Sequence, residues 1–423
     1  MQILKRASTS FAQVNSWLSP ARPISEVTFP VPANKNKNSG NSLNERSSQM
    51  QVEPMEITRY KSFADFGEHT AAWESISSEN PMASPQWAIP WWEAYGKGSS
   101  EDSGKELCLL AGFVRDELVG VAPFYIDNAN TSKRLRILGD GKVCSDHMSL
   151  LSTPDYNALF VTSVHEWMQD EIGKTWNSAH FECVPAEDQD MISLTDRMEV
   201  SGLALYQRPN CSSWQVDLPD TWDEYLMRLS KNQRKRCRRW LRQWIETGKL
   251  TRKSVTANDD LDDAFEKLCT LHNARRRFLG QAGAFEDQQF FDFHKDATRQ
   301  LMESDQLRME FLLDEGRPVT CEYLFTTDNT VFSYQSGYDP EYISIGAGNI
   351  SLTLAIRSAI EEGYKTFDFL RGGEKYKQSW KADETQTMDI HVNRKNLNGT
   401  IEQAKLGTKD WLRSMRDLVK GRS

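Results

Sequence analysis

The chain has 423 residues, of which 39% are hydrophobic and 26% are charged, and its formal net charge is −9. This length predicts two or three folded domains, and the negative charge excludes nucleic-acid binding by the electrostatics of the whole molecule. The seven cysteines form no CxxC pair, which is typical of reduced thiols in a cytosolic protein. The sequence contains no 18-residue apolar run and no signal-peptide core, so we expect a cytoplasmic protein without a membrane span.

The beginning of the chain has the composition of a disordered segment. Residues 32–51 are rich in Asn, Ser, Lys and Gln and contain almost no apolar side chains, so burial cannot offset the entropy of ordering them. We therefore predict a disordered tail at 1–54 and folded structure from about Glu56. Residues 401–423 are predicted to form a C-terminal helix or tail.

The first half of the folded part is predicted to contain helices, a hairpin, a further strand, a helix and a last strand. Apolar spacing predicts a helix at 63–76, and a segment dense in aromatic residues follows at 87–95. Alternating apolar residues on both sides of Arg115-Asp116-Glu117 predict the hairpin. The remaining predicted bounds are 107–114 and 118–126 for the hairpin, 134–138 and 179–183 for strands, and 160–173 for a helix.

The second half repeats this order. Helices are predicted at 222–247, 261–278, 287–303 and 349–362, and strands at 307–313, 318–326, 330–337 and 366–370. The hairpins of the two halves match in layout and lie about 200 residues apart, which indicates duplication of one α/β unit. We predict an α/β (α+β) fold with two tandem units, 55–215 and 216–400, each a mixed, mostly antiparallel sheet flanked by helices.

A glycine-containing loop, SIGAGN at 344–349, lies between a predicted strand region and a helix. Glycines let backbone N–H groups approach a ligand closely, and a helix N-terminus favours negative charge. We predict that Gly346, Gly348 and Asn349 bind a diphosphate group. An ordinary tight loop before a helix is the alternative.

The segment TFDFLRGGEKYK at 366–377 is the most unusual string in the chain. A carboxylate in mid-strand, Asp368, is costly unless it is used or paired. It is therefore a candidate catalytic group, and a structural Asp368–Arg371 ion pair is the alternative. The residues that follow are candidates for holding a phosphate or covering a ligand, or else for a solvated face with a buried Tyr and Trp; the candidates are Arg371, Lys375, Tyr376, Lys377 and Trp380.

Two further candidates for chemistry lie in the second hairpin region. Glu322 is in the middle of a predicted strand, and Tyr338 follows the next one. A buried carboxylate with a raised pKa is suited to act as a general base toward an amine. A polar group satisfied by its neighbours is the alternative for each.

A basic helix face opens the second half. Residues 231–242 contain seven Lys and Arg side chains, with Arg234, Arg238 and Arg242 opposite the apolar stripe. This face is a candidate site for tRNA, a nucleotide-sugar or an acidic lipid, and a solvated surface is the alternative. The sequence contains no GxSxG, HExxH or P-loop motif and no His pair at metal-ligand spacing, so we predict no metal.

Several strings resemble one known family. SPQWAIPWWEAYG, ELVGVAPFYI and RLRILGDGKVCSDHMSLL in the first half, and SYQSGYDPEYISIGAGNISLTLAIRSAIEEGYKTFDFLRGGEKYKQSWKA in the second, resemble the acetyltransferase-like domain family of CelD-type and BioF-like proteins. The resemblance covers about 56–395. This family belongs to the GNAT superfamily and is similar in layout to the tandem Fem-type transferases.

The resemblance implies acyl transfer from acyl-CoA to an amine on a small molecule, a polysaccharide or a cell-envelope precursor. It also implies a degenerate first unit, whose region 139–147 supplies scaffolding or substrate walls. Where the GNAT phosphate loop has Arg or Gln, three residues before its first glycine, this chain has Ile343. An aminoacyl-tRNA donor, as in the Fem type, and a non-catalytic binding protein therefore remain alternatives, and the oligomeric state stays open.

Overall fold

The computed structural model describes residues 54–97, 104–128, 132–257 and 259–394. These residues belong to one compact unit. The predicted tail at 1–54, apart from its last residue, and the predicted helix or tail at 401–423 lie outside the described residues. No helix in the described ranges is long and apolar enough to cross a membrane.

The described residues form eleven α-helices and thirteen β-strands. The helices are α1 Phe63–Phe66, α2 Thr70–Ile76, α3 Pro85–Trp91, α4 Asn157–Glu171, α5 Gln189–Val200, α6 Trp222–Arg228, α7 Lys231–Trp240, α8 Leu261–Phe278, α9 Gln288–Glu303, α10 Ala347–Glu361 and α11 Tyr376–Ser379. The strands are β1 Glu56–Tyr60, β2 Lys105–Val114, β3 Glu117–Asp127, β4 Arg134–Ile137, β5 Leu151–Ser152, β6 Ser178–Pro185, β7 Leu203–Asp217, β8 Thr251–Ser254, β9 Leu307–Asp314, β10 Arg317–Thr326, β11 Thr330–Tyr338, β12 Thr366–Arg371 and β13 Asp383–Arg394.

All thirteen strands belong to one sheet with the order β1-β2-β3-β4-β6-β13-β7-β12-β11-β10-β9-β8, and β5 pairs with β3 beside this path. Two neighbouring pairs are parallel, β4 with β6 and β11 with β12, and the others are antiparallel. The predicted mixed α/β fold with a mostly antiparallel sheet is therefore confirmed. The last described strand, β13, lies between β6 and β7, so the sheet runs without a break through both halves.

Helices cover the second half of the sheet on two faces. On one face, α8 and α9 pack in the larger core cluster together with the first half, and Trp87 of α3 meets Phe293 of α9 edge-on at a ring-centroid distance of 4.7 Å. On the other face, α6, α7 and α10 form a second core cluster with β12, which includes Trp240, Ile356 and Trp380. These two layers hold the strands β10–β12 in place between them. The division into units at 55–215 and 216–400 stays a prediction.

The prediction of a single helix at 222–247 is wrong. Leu229 has an extended backbone (φ −69°, ψ 155°) that ends α6, and the Ser230 hydroxyl accepts a hydrogen bond from the Gln233 N–H at 3.2 Å. Such an N-cap starts a new helix because it satisfies one of the N–H groups that a helix leaves unpaired. The predicted apolar stripe is confirmed within α7 and just beyond it, since Cys237, Trp240 and Leu241 are buried.

Candidate functional site

A cavity of about 300 Å³ opens in the second half, beside β10, β11 and the beginning of α10. Six of the residues selected from the sequence line it, together with six others. The lining residues are Arg275, Glu322, Ser333, Ser336, Tyr338, Ile343, Gly346, Ala347, Gly348, Asn349, Leu352 and Tyr376. The fold thus brings the glycine loop, the mid-strand carboxylate and two tyrosines to one site.

The glycine loop ends in a left-handed residue. Gly346 has φ 78° and precedes α10 without any side chain capping that helix. The Asn349 N–H donates to the Gly346 carbonyl at 2.9 Å, which leaves the N–H groups of Ala347 and Gly348 at the cavity wall for a ligand. A Cβ added at this glycine would lie 3.5 Å from the Trp240 indole nitrogen. The loop therefore rests directly on the basic helix α7.

The cavity lies where β11 and β12 part. Their parallel register ends at the pair Phe332–Asp368. From there β12 stays with β7 as far as Arg371, while β11 runs on to Tyr338 and lines the cavity. A sheet that opens at this point exposes backbone and side chains of β11 to a ligand.

Glu322 is buried in the floor of the cavity. Burial raises the pKa of its carboxyl to about 8, against the opposing effects of a hydrogen bond with Ser351 and the charge of Arg275, and the neighbouring Glu310 raises it further. A carboxyl group with such a pKa exchanges its proton near neutral pH. This is the property that a general base for an amine needs.

Arg275, in the last turn of α8, lines the cavity but was not selected from the sequence. Its Nη1 donates to the Ser336 carbonyl at 3.2 Å and to the Ser336 hydroxyl at 3.0 Å. The guanidinium carbon lies 5.6 Å from the centre of the Tyr338 ring. In the sequence this residue is the first of three consecutive arginines, so nothing distinguishes it from a helix end that carries favourable positive charge.

Asp368 and Arg371 do not pair with each other, so the alternative of an Asp368–Arg371 ion pair is wrong. Asp368 lies 2.9 Å from His147 Nε2 and accepts the Leu370 N–H at 2.6 Å. Arg371 forms an ion pair with Asp146, which also accepts its backbone N–H at 2.6 Å. Both side chains therefore join β12 to residues of the first half rather than facing the cavity.

The environment of His147 reflects this contact. Burial lowers its pKa, but the hydrogen bond and charge of Asp368, with help from Asp146, outweigh burial, so the pKa is raised. The charged form of the histidine is thereby favoured beside a buried carboxylate. The region 139–147, predicted as scaffolding or substrate walls, holds β12 through these two ion pairs.

Of the other candidates in TFDFLRGGEKYK and just after it, some side chains are exposed at the surface and others are buried, where they stabilise the fold. Tyr376 is 45% exposed and lines the cavity, and Lys375 is exposed. Lys377 is buried, and its ammonium donates to the carbonyls of Leu370 and Arg371 at 3.1 and 3.0 Å. Trp380 is part of the second core cluster. Of the substrate-binding candidates in this segment, the cavity therefore contains Tyr376.

The basic face of α7 lies on the outside of the molecule. Arg238 and Arg242 are exposed, and Arg234 is partly exposed. Arg238 has one weak ion pair, 3.7 Å from Asp223. α7 touches the glycine loop through Trp240, which lies on the buried face of the helix, so the arginines lie on the side away from this contact.

Outside the cavity, His180, Asp389 and His391 place potential metal ligands within 4.8 Å of one another. Asp389 forms an ion pair with Arg208 at 2.8 Å and accepts a hydrogen bond from Asn210 at 2.5 Å. A guanidinium at this position repels a divalent cation and occupies the carboxylate. The arrangement favours a hydrogen-bonded polar cluster over a metal centre.

Comparison with known proteins supports one fold family. Residues 231–378 match the family model described as "Acetyltransferase (GNAT) domain". The fold is similar to that of the protein in the solved structure "Crystal structure of FemX", with a TM-score of 0.55 at 9% sequence identity. The match covers 79% of this chain and 96% of that one. A sequence search of curated proteins found no match.

Two more solved structures are similar. A "Conserved Protein of Unknown Function from Bacteroides thetaiotaomicron VPI-5482" has a TM-score of 0.50 at 10% identity, covering 80% of this chain and 100% of that one. A "Tandem GNAT protein from the clavulanic acid biosynthesis pathway (without AcCoA)" has a TM-score of 0.40 at 9% identity, covering 79% and 98%. The family match and the FemX fold confirm the GNAT-like, Fem-type layout expected from the sequence.

Proposed function

We propose that this protein, given its GNAT-like, Fem-type layout, transfers an acyl group from acyl-CoA to an amine. One observation carries the proposal: the buried carboxyl of Glu322 and the uncapped beginning of α10 face the same cavity. A base for the acceptor and an anion site for the donor are thereby adjacent.

The donor binds through backbone groups. The N–H groups of Ala347 and Gly348, at the beginning of α10, hold the diphosphate of coenzyme A, since a helix leaves its first N–H groups without intrahelical partners, while the N–H groups of Gly346 and Asn349 donate to the carbonyls of Ile343 and Gly346. Ile343, which is 46% exposed at the cavity wall, offers an apolar contact where the GNAT family has a polar one. Tyr376, which also lines the cavity, is available to contact the bound donor.

The reaction is direct attack of the amine on the thioester. Glu322 takes a proton from the bound ammonium group, directly or through a water molecule, and the freed nitrogen pair forms a bond to the carbonyl carbon. The carbon–sulfur bond then breaks as the tetrahedral intermediate collapses. Tyr338, in the same cavity, donates a proton to the departing thiolate and regains one from the amide nitrogen through solvent.

The other candidates support this geometry. Asp368 and Arg371 hold β12 at the point where it leaves β11, and Lys377 binds the carbonyls of that turn. A direct catalytic role of Asp368 stays a prediction, and its contacts favour positioning. The described cysteines are free thiols, in keeping with a cytoplasmic reaction on a small-molecule, saccharide or cell-envelope precursor.

A second candidate function keeps the chemistry but changes the donor to aminoacyl-tRNA. The observation that favours it is the positive outer surface formed by Arg234 and Arg238 of α7 and by Arg242 just beyond it, on the helix whose buried Trp240 contacts the glycine loop. Phosphate contacts made by these arginines would be strongly weakened by salt. A gel shift of tRNA that disappears at high salt, and that is lost after the three arginines are replaced by Ser, supports this alternative.

The test of the proposal is a transfer assay on the full chain. Acetyl-CoA and other short acyl-CoA esters are incubated with a panel of small amines, and thiol release and the acylated product are followed by absorbance and mass spectrometry. We expect amine-dependent thiol release by the wild type and at least a hundredfold less by Glu322→Gln. If no amine stimulates release while aminoacyl-tRNA is consumed, the second candidate function replaces the first.

A further inference from the structure

The guanidinium of Arg275 is held in one orientation inside the cavity. Nη1 donates twice to Ser336, to its carbonyl and to its hydroxyl, and the guanidinium carbon lies 5.6 Å from the centre of the Tyr338 ring. A side chain held by two hydrogen bonds and a ring contact has less conformational freedom to lose when a ligand binds. The geometry of a binding group is thereby already in place.

The other edge of this guanidinium has no partner in the described ranges. Nε is buried and makes no hydrogen bond, and no carboxylate of the described residues forms an ion pair with Arg275. The nearby Glu322 has a pKa of about 8, so at neutral pH it is mostly uncharged and does not balance the arginine. A partly buried cation without a counter-charge is destabilising, and an anionic group of a ligand relieves that cost.

The position of Arg275 assigns this anion to the acceptor. Ser336, to which the arginine is bound, is the cross-strand neighbour of Glu322 in the β10–β11 ladder. Side chains at such paired positions start about 5 Å apart. The anion site and the base for the amine are therefore separated by a few ångströms, whereas the donor diphosphate belongs to the beginning of α10.

We propose that Arg275 binds a carboxylate of the acceptor, so that the acceptor is an amino-acid-type molecule with an amine and a carboxylate a few bonds apart. This inference rests on the proposed function, because it takes Glu322 as the base. The two N–H groups of the Nε–Nη2 edge match the two oxygens of a carboxylate in a bidentate pair. A cavity of about 300 Å³ accommodates a molecule of this size.

The experiment measures acceptor binding without a donor. The common amino acids are titrated into the full chain by calorimetry, and each one that binds is compared with its primary amide, which keeps the amine and the side chain but lacks the carboxylate. We expect the amide to bind about 10- to 100-fold more weakly, the range for losing a hydrogen bond to a charged group.

Two variants locate the effect. Arg275→Lys keeps the charge but loses the fork, and Arg275→Met loses both; each should weaken binding of the amino acid and leave that of the amide unchanged. Arg277→Met is the matched control, because Arg277 lies on the same helix turn and pairs with Glu286 on the surface; it should bind both ligands as the wild type does. Thermal unfolding of each variant checks that the fold is kept.

The outcomes separate this inference from the proposed function. Equal affinity for acid and amide, or no binding of any amino acid, overturns the inference, and transfer to amines without a carboxylate would leave the proposed function standing. Weaker coenzyme A binding by Arg275→Lys, with acceptor binding unchanged, also overturns it, because the arginine then serves the donor phosphates. Carboxylate-dependent binding without any acyl transfer supports the inference and contradicts the proposed function.

Discussion

Replacing Glu322 by Gln removes one ionisable group from the cavity and nearly preserves the shape of the side chain. Because the pKa of Glu322 is raised to about 8, we expect wild-type kcat/KM to rise with pH and to level off above pH 8, as the carboxyl group loses its proton. In Glu322→Gln this rise should vanish and turnover should fall by about a hundredfold or more. Any titration of the substrate amine itself remains in both profiles, so their difference isolates the residue.

The same pKa predicts an effect on stability with a definite sign. The folded protein keeps the proton on Glu322 between pH 4.5 and about 8, where the unfolded chain has released it, so the free energy of unfolding falls as pH rises through this window. A tenfold change in proton affinity corresponds to about 1.4 kcal/mol, which gives an upper limit of about 5 kcal/mol at pH 8 and above.

Denaturant unfolding at pH 5 and pH 9 measures this effect. We expect Glu322→Gln to lose less stability than the wild type between the two pH values. Equal pH dependence of unfolding for both proteins, or a turnover of the variant within a few-fold of the wild type at every pH, would refute the reasoning that Glu322 is a buried base.

Three other perturbations follow from the structure and the sequence. Gly346→Val places a branched side chain at φ 78°, which costs about 1–3 kcal/mol, and crowds the beginning of α10, so we expect calorimetry to show loss of coenzyme A binding. Gly348→Ala is the control and should keep this binding, because its Cβ meets Tyr338 at an ordinary 3.4 Å. Unchanged coenzyme A affinity in Gly346→Val would contradict the donor site. Asp368→Asn weakens the contact with His147, so we expect a lower denaturant midpoint, with turnover per folded molecule near that of the wild type. A hundredfold loss of turnover at unchanged stability would instead make Asp368 a catalytic residue. Deletion of residues 1–54 should leave Tm nearly unchanged because their composition cannot form a core, and loss of cooperative unfolding would contradict this.

Elements with strong local signals were predicted well from the sequence. The hairpin of β2 and β3 and the meander of β9, β10 and β11 alternate regularly around polar turns, so the strands are visible in short windows. The strands β7 and β13 were missed. Both contain polar stretches, such as PNCSS in β7 and ETQT in β13, and they are stabilised by pairing with each other and with strands distant in the chain.

In the candidate site, too, residues with a local sequence signal were predicted and contacts between distant residues were not. Glu322, Tyr338 and the glycine loop were found because each stands at a recognisable place, a strand centre, a strand end or a helix start. The partners of Asp368 and Arg371 were not found, because His147 and Asp146 are more than 200 residues away in the chain. Arg275 was not predicted as a site residue, because its contacts with Ser336 and with the cavity depend on the folded structure and produce no pattern in the sequence.

A crystal structure of the protein with coenzyme A bound tests the central claim most directly. The account predicts the diphosphate at the N–H groups that follow Gly346, with the thiol end of the ligand directed along β11 toward Glu322. Coenzyme A bound elsewhere on the molecule, or a cavity that stays empty at saturating ligand, would contradict the claim that this cavity is an acyl-CoA-dependent transfer site.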